Sequence, residues 1–248
     1  MHDAWERASG EYLARRGSNV SVVRYGNLAP TEDDLGLLGQ VQGLRILDIG
    51  CGGGQNAVAL AKSGASVVGI DSSSAQIAAA ERLATEHGVD VVWMVGDAAA
   101  VDEGDVGKFD RVLAVQMLQY MDDPAAMIVK AEAMLQPGGA LLMSIDHPLR
   151  ECFYDAELEE FAAFPVRSYV QAHQMHWNFG AGIPMWSQHR PLGQWIEWLS
   201  RAGLCVTRVI EADAPLDVQD ELWPEDSPLA PLRYLPHTAI LVAQRMPR

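Results

Sequence analysis

The stretch ILDIGCGGG, residues 46–54, decides the fold, because in it a short apolar run ends in a cluster of glycines. Residues 55–63 continue with a helical pattern, so the stretch predicts a strand, a glycine loop and the start of a helix. Glycine permits unusual backbone angles and lets a ligand approach the main chain closely. A dinucleotide-binding loop would need G-x-G-x-x-G, but Gln55 occupies the third glycine position. A helix N-terminus could still hold an anion, although the loop has no resemblance to a lysine-bearing phosphate loop.

The alternation of strands and helices around this loop predicts the fold class. Apolar runs typical of buried strands occur at 45–49, 66–70, 91–95, 109–115 and 140–145, with helical segments at 55–63, 73–87 and 123–135. The pattern resumes after residue 190, with a helix at 193–202 and strands at 206–211 and 238–243. Continuous apolar strands between helices indicate βαβ units and a parallel sheet covered on both faces. We therefore expect an α/β protein with a doubly wound, Rossmann-like, seven-stranded sheet, mostly parallel with an antiparallel last strand.

Composition and charge exclude several classes of function. The 248 residues include 33 acidic and 18 basic side chains, and the formal charge of −15 would repel phosphate backbones, so we expect no nucleic-acid partner. Neither a long apolar run nor a signal peptide is present, which predicts a cytoplasmic protein without membrane contact. Cys51, Cys152 and Cys205 are too few and too scattered for a disulfide framework or a zinc site. We expect a monomer or a homodimer.

Two acidic residues follow strands at the same predicted edge of the sheet. Asp71 ends the second strand, 17 residues after Gly54, where a carboxylate can accept both hydroxyls of a ribose. Asp97 follows the third strand, where it could accept from an adenine amino group. Because the carboxyl ends of parallel strands line one crevice, we expect both carboxylates to lie beside the glycine loop.

Five motifs in register carry a resemblance to a known family. LDIGCGGG, GIDSS, GDA, FDRVLAVQMLQYMDDP and LQPGGALLMSID match, in order and spacing, the class I S-adenosylmethionine-dependent methyltransferases over about residues 35–146. The lead-in YGNLAPTE (25–32) and the segment SIDHP (144–148) resemble the bacterial, small-molecule, natural-product branch of that family. The resemblance implies that S-adenosylmethionine donates a methyl group to a small organic acceptor by in-line displacement. The C-terminal third matches more loosely, so neither the acceptor nor the choice of N-, O- or C-methylation carries over.

The resemblance also divides the chain, which we expect to be a single domain. Residues 1–34 would form an N-terminal cap that begins with an amphipathic helix over 1–16. Residues 35–146 would form the cofactor-binding core, 147–190 a lid or substrate insertion, and 191–248 the end of the core sheet. Twelve of the 18 aromatic residues lie in 151–248, which suggests that the later part binds the acceptor. The alternative is that these aromatics only pack the insertion.

Cofactor-binding roles follow from the motifs. The implied set is Tyr25, Gly50, Cys51, Gly52, Asp71, Ser72, Gln76, Asp97, Ala98 and Gln116. The glycine loop would contact the methionine portion, Asp71 the ribose, and Asp97 with Ala98 the adenine. Tyr25 would close over the methionine end. As alternatives, Asp71 could be a helix cap and Gln76 an ordinary solvent-facing helix residue.

Candidates for the acceptor side follow the fourth and fifth strands and fill the insertion. Tyr120 and His147 are the catalytic candidates, since an imidazole near neutrality can deprotonate an acceptor. His147 could equally be a hydrogen-bonded turn residue. The predicted substrate-binding residues are Tyr12, Met117, His173, His176, Trp177, Trp186 and His189. His173 and His176 have a metal-ligand spacing, but no third ligand is implied, so we expect no metal.

Three rival functions remain open on the same fold. The chain could bind S-adenosylmethionine as a sensor or a scaffold, or it could catalyse a non-methylating reaction such as a cyclisation. A nicotinamide-dependent dehydrogenase is disfavoured by Gln55 in the third glycine position.

Overall fold

A seven-stranded sheet runs through the computed structural model, which describes residues 2–180 and 182–246. The strands in chain order are β1 (Arg45–Ile49), β2 (Ser66–Asp71), β3 (Val92–Val95), β4 (Phe109–Val115), β5 (Leu135–Asp146), β6 (Tyr154–Asp155), β7 (Glu160–Phe161), β8 (His173–Phe179), β9 (Ile183–His189), β10 (Leu204–Ala212) and β11 (Thr238–Arg245). The large sheet has the order β10-β11-β5-β4-β1-β2-β3. Strands β1 to β5 pair in parallel, and β11 is antiparallel to both β5 and β10. The predicted fold class is confirmed.

Helices cover the two faces of this sheet. They are α1 (His2–Arg16), α2 (Glu32–Leu35), α3 (Gln55–Lys62), α4 (Ser74–His87), α5 (Glu103–Val106), α6 (Pro124–Ala133), α7 (Pro148–Glu151), α8 (Leu192–Arg201) and α9 (Leu216–Leu222). Local sequence explains where several begin and end. The Ser73 hydroxyl caps α4 by accepting the Gln76 N–H, and Gly88 ends that helix in a left-handed conformation. None of the helices in the described residues is both long enough and apolar enough to span a bilayer.

The core consists of two main layers, one on each side of the sheet. Neighbouring residues of a strand point to opposite faces. In β4, Val112 and Ala114 pack into one layer with Trp195 of α8, and Leu113 packs into the other with Leu60 of α3. Burial on both faces explains why the strands read as unbroken apolar runs.

Strand β5 begins at Leu135, five residues before the predicted start at Ala140. Leu135 pairs with Phe109, and the register with β4 shifts before Arg111 pairs with Ala140. A Cβ atom at Gly139 would lie 3.0–3.1 Å from three backbone carbonyl oxygens, so glycine allows the strand to pass this irregularity. The turn-like sequence therefore belongs to a bulged strand.

The insertion at 147–190 contains regular structure that the sequence pattern did not reveal. Strands β8 and β9 form an antiparallel hairpin, and β6 pairs with β7. Met175 of β8 is buried while its neighbour His176 is exposed, as expected for a half-buried strand. The alternation is hidden in the sequence because the buried positions of β9 include the polar residues Ser187 and His189.

Candidate active site: two adjoining cavities

Two cavities adjoin at the carboxyl ends of the parallel strands. The larger has a volume of about 870 Å³ and is bounded by the ends of β1, β2, β3 and β4 and by α1. The smaller has a volume of about 440 Å³ and lies against the hairpin β8–β9 and α7. Both volumes fall within the usual range for small-molecule sites, and their position is the crevice that α/β sheets use for ligands.

The glycine loop forms the floor of the larger cavity. Gly50 has a φ of +67°, and a Cβ atom there would lie 2.8 Å from Cβ of Met117. A larger residue at this position would therefore displace Met117, which itself lines the cavity. Cys51 and Gly52 also line it, and the Gly52 N–H donates to Oδ2 of Asp71 at 2.9 Å. Burial raises the pKa of the Cys51 thiol well above its usual value, so Cys51 is a neutral wall residue.

Asp71 lies where a ribose-binding carboxylate was predicted. Its Oδ1 accepts the Ser73 N–H at 2.9 Å while Oδ2 accepts from Gly52, so each oxygen keeps a further lone pair for a ligand hydroxyl. Burial raises the pKa of Asp71 despite these two hydrogen bonds. Ser72 lines the cavity beside it. The helix-cap interpretation of Asp71 is not what the structure shows, because Ser73 caps α4.

Gln76 is buried and not solvent-facing as its alternative interpretation required. Only 2% of its surface is exposed, and its Oε1 atom is buried without a hydrogen-bond partner among the described residues. Asp97 and Ala98 line the same cavity further along the sheet. Asp97 accepts the Ala99 N–H through Oδ1, which orients its carboxylate at the end of β3.

Gln116 lies on the boundary of the two cavities and has an unusual backbone. Its φ of +53° falls in the left-handed region, which a non-glycine residue adopts at a cost of roughly 1–3 kcal/mol. The Gln116 N–H donates to the carbonyl of Ser144, and its Oε1 accepts from Nε2 of Gln119 at 2.9 Å. These contacts hold the side chain where both cavities meet.

Three aromatic side chains complete the wall that the cavities share with Gln116. Trp5, Tyr12 and Tyr120 line both cavities. The Trp5 ring lies 5.3 Å from the Tyr12 ring and 5.4 Å from the Tyr120 ring, edge to face in both cases. Burial raises the pKa of Tyr120 well above its usual value, and the charge of Asp146 adds to this effect. Tyr120 is therefore a neutral hydroxyl at the predicted position.

Helix α1 supplies two of these aromatic rings and is held against α4. The Ser9 hydroxyl lies 2.9 Å from the Ser73 hydroxyl in a buried contact, and the Ser74 hydroxyl donates to Glu6 at 2.8 Å. Since Ser73 is the N-cap of α4, the same turn that follows Asp71 also holds α1 in place.

The smaller cavity has charged residues on one side and the hairpin on the other. Its lining includes Asp146, Arg150 and Glu151 from β5 and α7, and Met175, Trp177, Asn178 and Ser187 from β8 and β9. Glu151 was missed by the sequence analysis. It is 4% exposed, and its Oε2 lies 2.8 Å from Nδ1 of the fully buried His189. No sequence signal indicates this contact, because it forms only when the hairpin brings His189 back to α7, 38 residues later.

Two predicted site residues that do not belong to the hairpin, His147 and Tyr25, lie outside the cavities. His147 caps α7, with Nδ1 accepting the Leu149 N–H at 3.1 Å and Nε2 donating to Glu211 at 2.9 Å. Burial lowers the pKa of His147, and its ring lines neither cavity, so the turn-residue alternative is what the structure shows. Tyr25 lies in the core, where its hydroxyl donates to Glu32 at 2.6 Å, and it too lines neither cavity.

The predicted residues of the insertion divide between the two faces of the hairpin. Trp177 lines the smaller cavity, whereas His176 and Trp186 pair with each other on the opposite face. The ring of His173 stacks on that of His189 at 4.4 Å, behind the cavity wall. No group of three metal-ligating side chains occurs among residues 2–180 and 182–246.

The middle of the chain matches a known family. Residues 46–139 match a family model described as a methyltransferase domain. A curated relative from Pseudomonas aeruginosa, named ubiquinone biosynthesis O-methyltransferase, is 40% identical over 143 residues, or 58% of this chain and 57% of the relative. The chain spans about half the length of the curated relatives that it matches.

Solved structures with the same fold cover more of the chain. An S-adenosylmethionine-dependent methyltransferase from Mesorhizobium loti superposes with a TM-score of 0.67 and 26% identity over 85% of this chain and 95% of its own. The [4+2]-cyclase SpnF superposes with a TM-score of 0.63 and 19% identity over 100% of this chain and 95% of its own, a likeness of fold alone. The predicted resemblance to the class I S-adenosylmethionine-dependent methyltransferases is confirmed by the fold and by the domain at 46–139.

Proposed function

We propose that this chain, which has the class I fold and the methyltransferase domain of that family, transfers a methyl group from S-adenosylmethionine to a small organic acceptor. The donor would occupy the larger cavity and the acceptor the smaller one. The observation that carries the proposal is the shared wall of Trp5, Tyr12, Gln116 and Tyr120. Two ligands bound on either side of such a boundary meet without crossing solvent, as in-line displacement requires.

The larger cavity fits the donor in its chemistry. The carboxylate of Asp71 suits the two ribose hydroxyls, and the buried Oε1 of Gln76 is an acceptor that a ligand donor would satisfy. Gly50 and Gly52 leave the backbone open for the methionine portion, and Asp97 with Ala98 would face the adenine. Bound there, S-adenosylmethionine supplies an electrophilic methyl group on a positively charged sulfur.

The residues of the shared wall would orient the reaction and hold the charge. Aromatic faces attract a desolvated cation by about 2 kcal/mol or more, and Trp5, Tyr12 and Tyr120 surround the boundary. Alignment of two reactants can supply roughly 7–11 kcal/mol of the barrier reduction. The hydrogen bond from Gln119 would fix Gln116 beside the point where the two ligands meet. Catalysis would therefore depend mainly on how the two reactants are placed relative to each other.

The surroundings also indicate which acceptors and partners the chain would have. The name of the Pseudomonas aeruginosa relative supports oxygen as the methyl-accepting atom. The net charge of −15 disfavours phosphorylated acceptors and nucleic acid, and favours neutral or cationic small molecules. A cytoplasmic location without membrane contact, and a monomer or homodimer, complete the proposed setting.

Calorimetric titration with S-adenosylhomocysteine tests the donor site. Asp71→Ala should weaken binding about 100-fold, because two charge-assisted hydrogen bonds are worth roughly 1.5 kcal/mol or more each. The exposed Asp90→Ala is the matched control and should bind as the parent does. Equal affinity in both variants would refute the assignment of Asp71.

Transfer from radiolabelled S-adenosylmethionine to a panel of phenols, anilines and indoles tests the reaction. Labelled product from at least one class is expected. Tight cofactor binding with no transfer to any acceptor would favour a sensor, a scaffold or a non-methylating catalyst.

A further inference from the structure

Glu151 and His189 form a buried acid–imidazole pair in the wall of the smaller cavity. Nδ1 of His189 lies 2.8 Å from Oε2 of Glu151, and its Nε2 lies 2.9 Å from the carbonyl oxygen of Tyr169. A carbonyl only accepts, so Nε2 carries a proton. A second proton must then lie between Nδ1 and Oε2, because two bare lone pairs would repel at that distance. The pair is therefore neutral as a whole and leaves Oε1 of Glu151 for a molecule in the cavity.

The charged groups around the pair place it close to the reaction centre. Asp146 and Arg150, which form an ion pair at 3.6 Å, line the cavity beside Glu151. Glu151 and Tyr120 of the shared wall line the same cavity, and the charge of Glu151 helps to raise the pKa of Tyr120. On the far side, His173 stacks on His189, and Arg167 and Arg190 lie near these rings. Asp146 and Glu151 thus both border the acceptor space, but Asp146 is paired with Arg150, whereas the partner of Glu151 is the imidazole of His189.

We propose that Glu151, oriented by His189, accepts the proton of a hydroxyl or amino group carried by an aromatic acceptor in the smaller cavity. The inference rests on the proposed methyl transfer. Glu151 would be the catalytic residue because it contacts the acceptor, and His189 a positioning residue that acts through it. The aromatic class follows from the lining, in which Trp177, Tyr154 and Phe161 join the three rings of the shared wall.

The step balances in atoms and charge. The acceptor oxygen or nitrogen forms a bond to the methyl carbon as the carbon–sulfur bond breaks, and the electron pair of that bond remains on sulfur. The acceptor proton passes to Oε1 of Glu151. The sulfonium charge disappears while the pair gains one positive charge, so the total charge of the site is conserved and the proton leaves later to solvent.

Burial supports this role because it keeps Glu151 a usable base near neutrality. Burial raises the pKa of Glu151 to about 7, and the charge of Asp146 acts in the same direction, whereas the hydrogen bond from His189 and the charge of Arg150 oppose it. The carboxylate form becomes populated as the pH rises through that value. A general base whose pKa lies near the working pH typically contributes 10²–10⁴-fold.

Single-turnover and steady-state rates of the variant Glu151→Gln test the assignment. The amide keeps the size of the side chain, so binding of S-adenosylhomocysteine should equal that of the parent. With any acceptor from the phenol and aniline panel, kcat should fall at least 100-fold, KM should change less than threefold, and the rise in rate near pH 7 should vanish. Glu157→Gln, an exposed change in the same insertion, should match the parent in every measurement. A Glu151→Gln variant with a parental rate and pH profile would overturn the proposal.

The variant His189→Gln distinguishes a positioning role of His189 from a purely structural role. Because the hydrogen bond from His189 lowers the pKa of Glu151, its loss should move the midpoint of the rate profile to higher pH, with rates partly recovering there. A lower rate with an unmoved midpoint would contradict the role of His189.

A second probe does not depend on finding the natural acceptor. The complex with S-adenosylhomocysteine is titrated by calorimetry with phenol, which keeps its proton from about pH 6 to about pH 8. In the parent the affinity for phenol should rise as the pH passes through about 7, because the carboxylate of Glu151 accepts a hydrogen bond from the phenol hydroxyl, and in Glu151→Gln the affinity should not change with pH. Failure of the parent to bind phenol, or equal pH profiles in both proteins, would overturn the inference. Failure to bind S-adenosylhomocysteine would instead refute the proposed function.

Discussion

The backbone conformation of Gln116 allows the relative stability of two variants at this position, Gln116→Gly and Gln116→Ala, to be predicted. At an ordinary site alanine is more stable than glycine, because glycine gains more freedom on unfolding, by about 0.4–1 kcal/mol. At Gln116 the φ of +53° places any Cβ atom in the left-handed region, which costs an L-residue about 1–2 kcal/mol. Both substitutions lose the hydrogen bond from Gln119, so that loss cancels in the comparison. Gln116→Gly should therefore be more stable than Gln116→Ala by about 1 kcal/mol.

Urea unfolding of the two variants measures this difference directly, provided that their slopes with denaturant agree. Val92, an exposed residue of β3, provides the control. Alanine there should exceed glycine by about 0.5–1 kcal/mol. The difference in stability between the alanine and glycine variants should therefore have opposite signs at the two positions. Alanine more stable than glycine at both would refute the strained conformation at the boundary of the cavities.

Three further predictions concern stability outside the cavities. His147→Ala should lower the free energy of unfolding by about 1–2 kcal/mol, because α7 loses its cap. The rate of methyl transfer per folded molecule should stay unchanged. A large loss of transfer at unchanged stability would instead indicate that His147 acts as a base. Gly54→Ala should lower the melting temperature more than Gly36→Ala does. Both glycines have a positive φ, but only at Gly54 would a Cβ atom lie 2.7 Å from Ala80 and Trp93. Equal decreases in melting temperature would contradict this packing. Burial lowers the pKa of His237 to about 4, so the unfolded chain binds a proton that the folded chain does not, and the free energy of unfolding should fall as the pH drops from about 6.5 to 4. His237→Gln should flatten that fall by up to about 3 kcal/mol, and parallel pH profiles would contradict the assignment.

The sequence predicts the cofactor half well because that half is built from local, repeating signals. Strands β1 and β4 have the predicted bounds, Asp71 contacts the glycine loop as expected, and Asp97 lines the same cavity further along the sheet. Each of these positions depends only on a strand ending and on the shared edge of a parallel sheet. Gln55 and Gln76 are harder to predict, since helix periodicity alone does not show that these two polar side chains are buried.

The acceptor half depends on contacts between distant segments. His147 has the chemistry of a base, but its two ring nitrogens form hydrogen bonds with Leu149 in the next turn and with Glu211, 64 residues away. Tyr25 has the chemistry of a lid, but Glu32 binds its hydroxyl inside the core. Glu151 has no distinguishing local pattern and becomes a candidate only because β9 returns beside α7. Proximity in space, which periodicity does not encode, decides all three.

The N-terminal helix has a consequence for how the two ligands would bind. Trp5 and Tyr12 of α1 face both cavities, and α1 is held to the rest of the molecule through Ser9 and Glu6. A ligand in either cavity that contacts these rings stabilises the docked helix and so prepares the other cavity. By thermodynamic linkage, the factor by which the donor tightens acceptor binding must equal the factor by which the acceptor tightens donor binding. The docking of one helix would thereby set a single coupling factor for the two binding events.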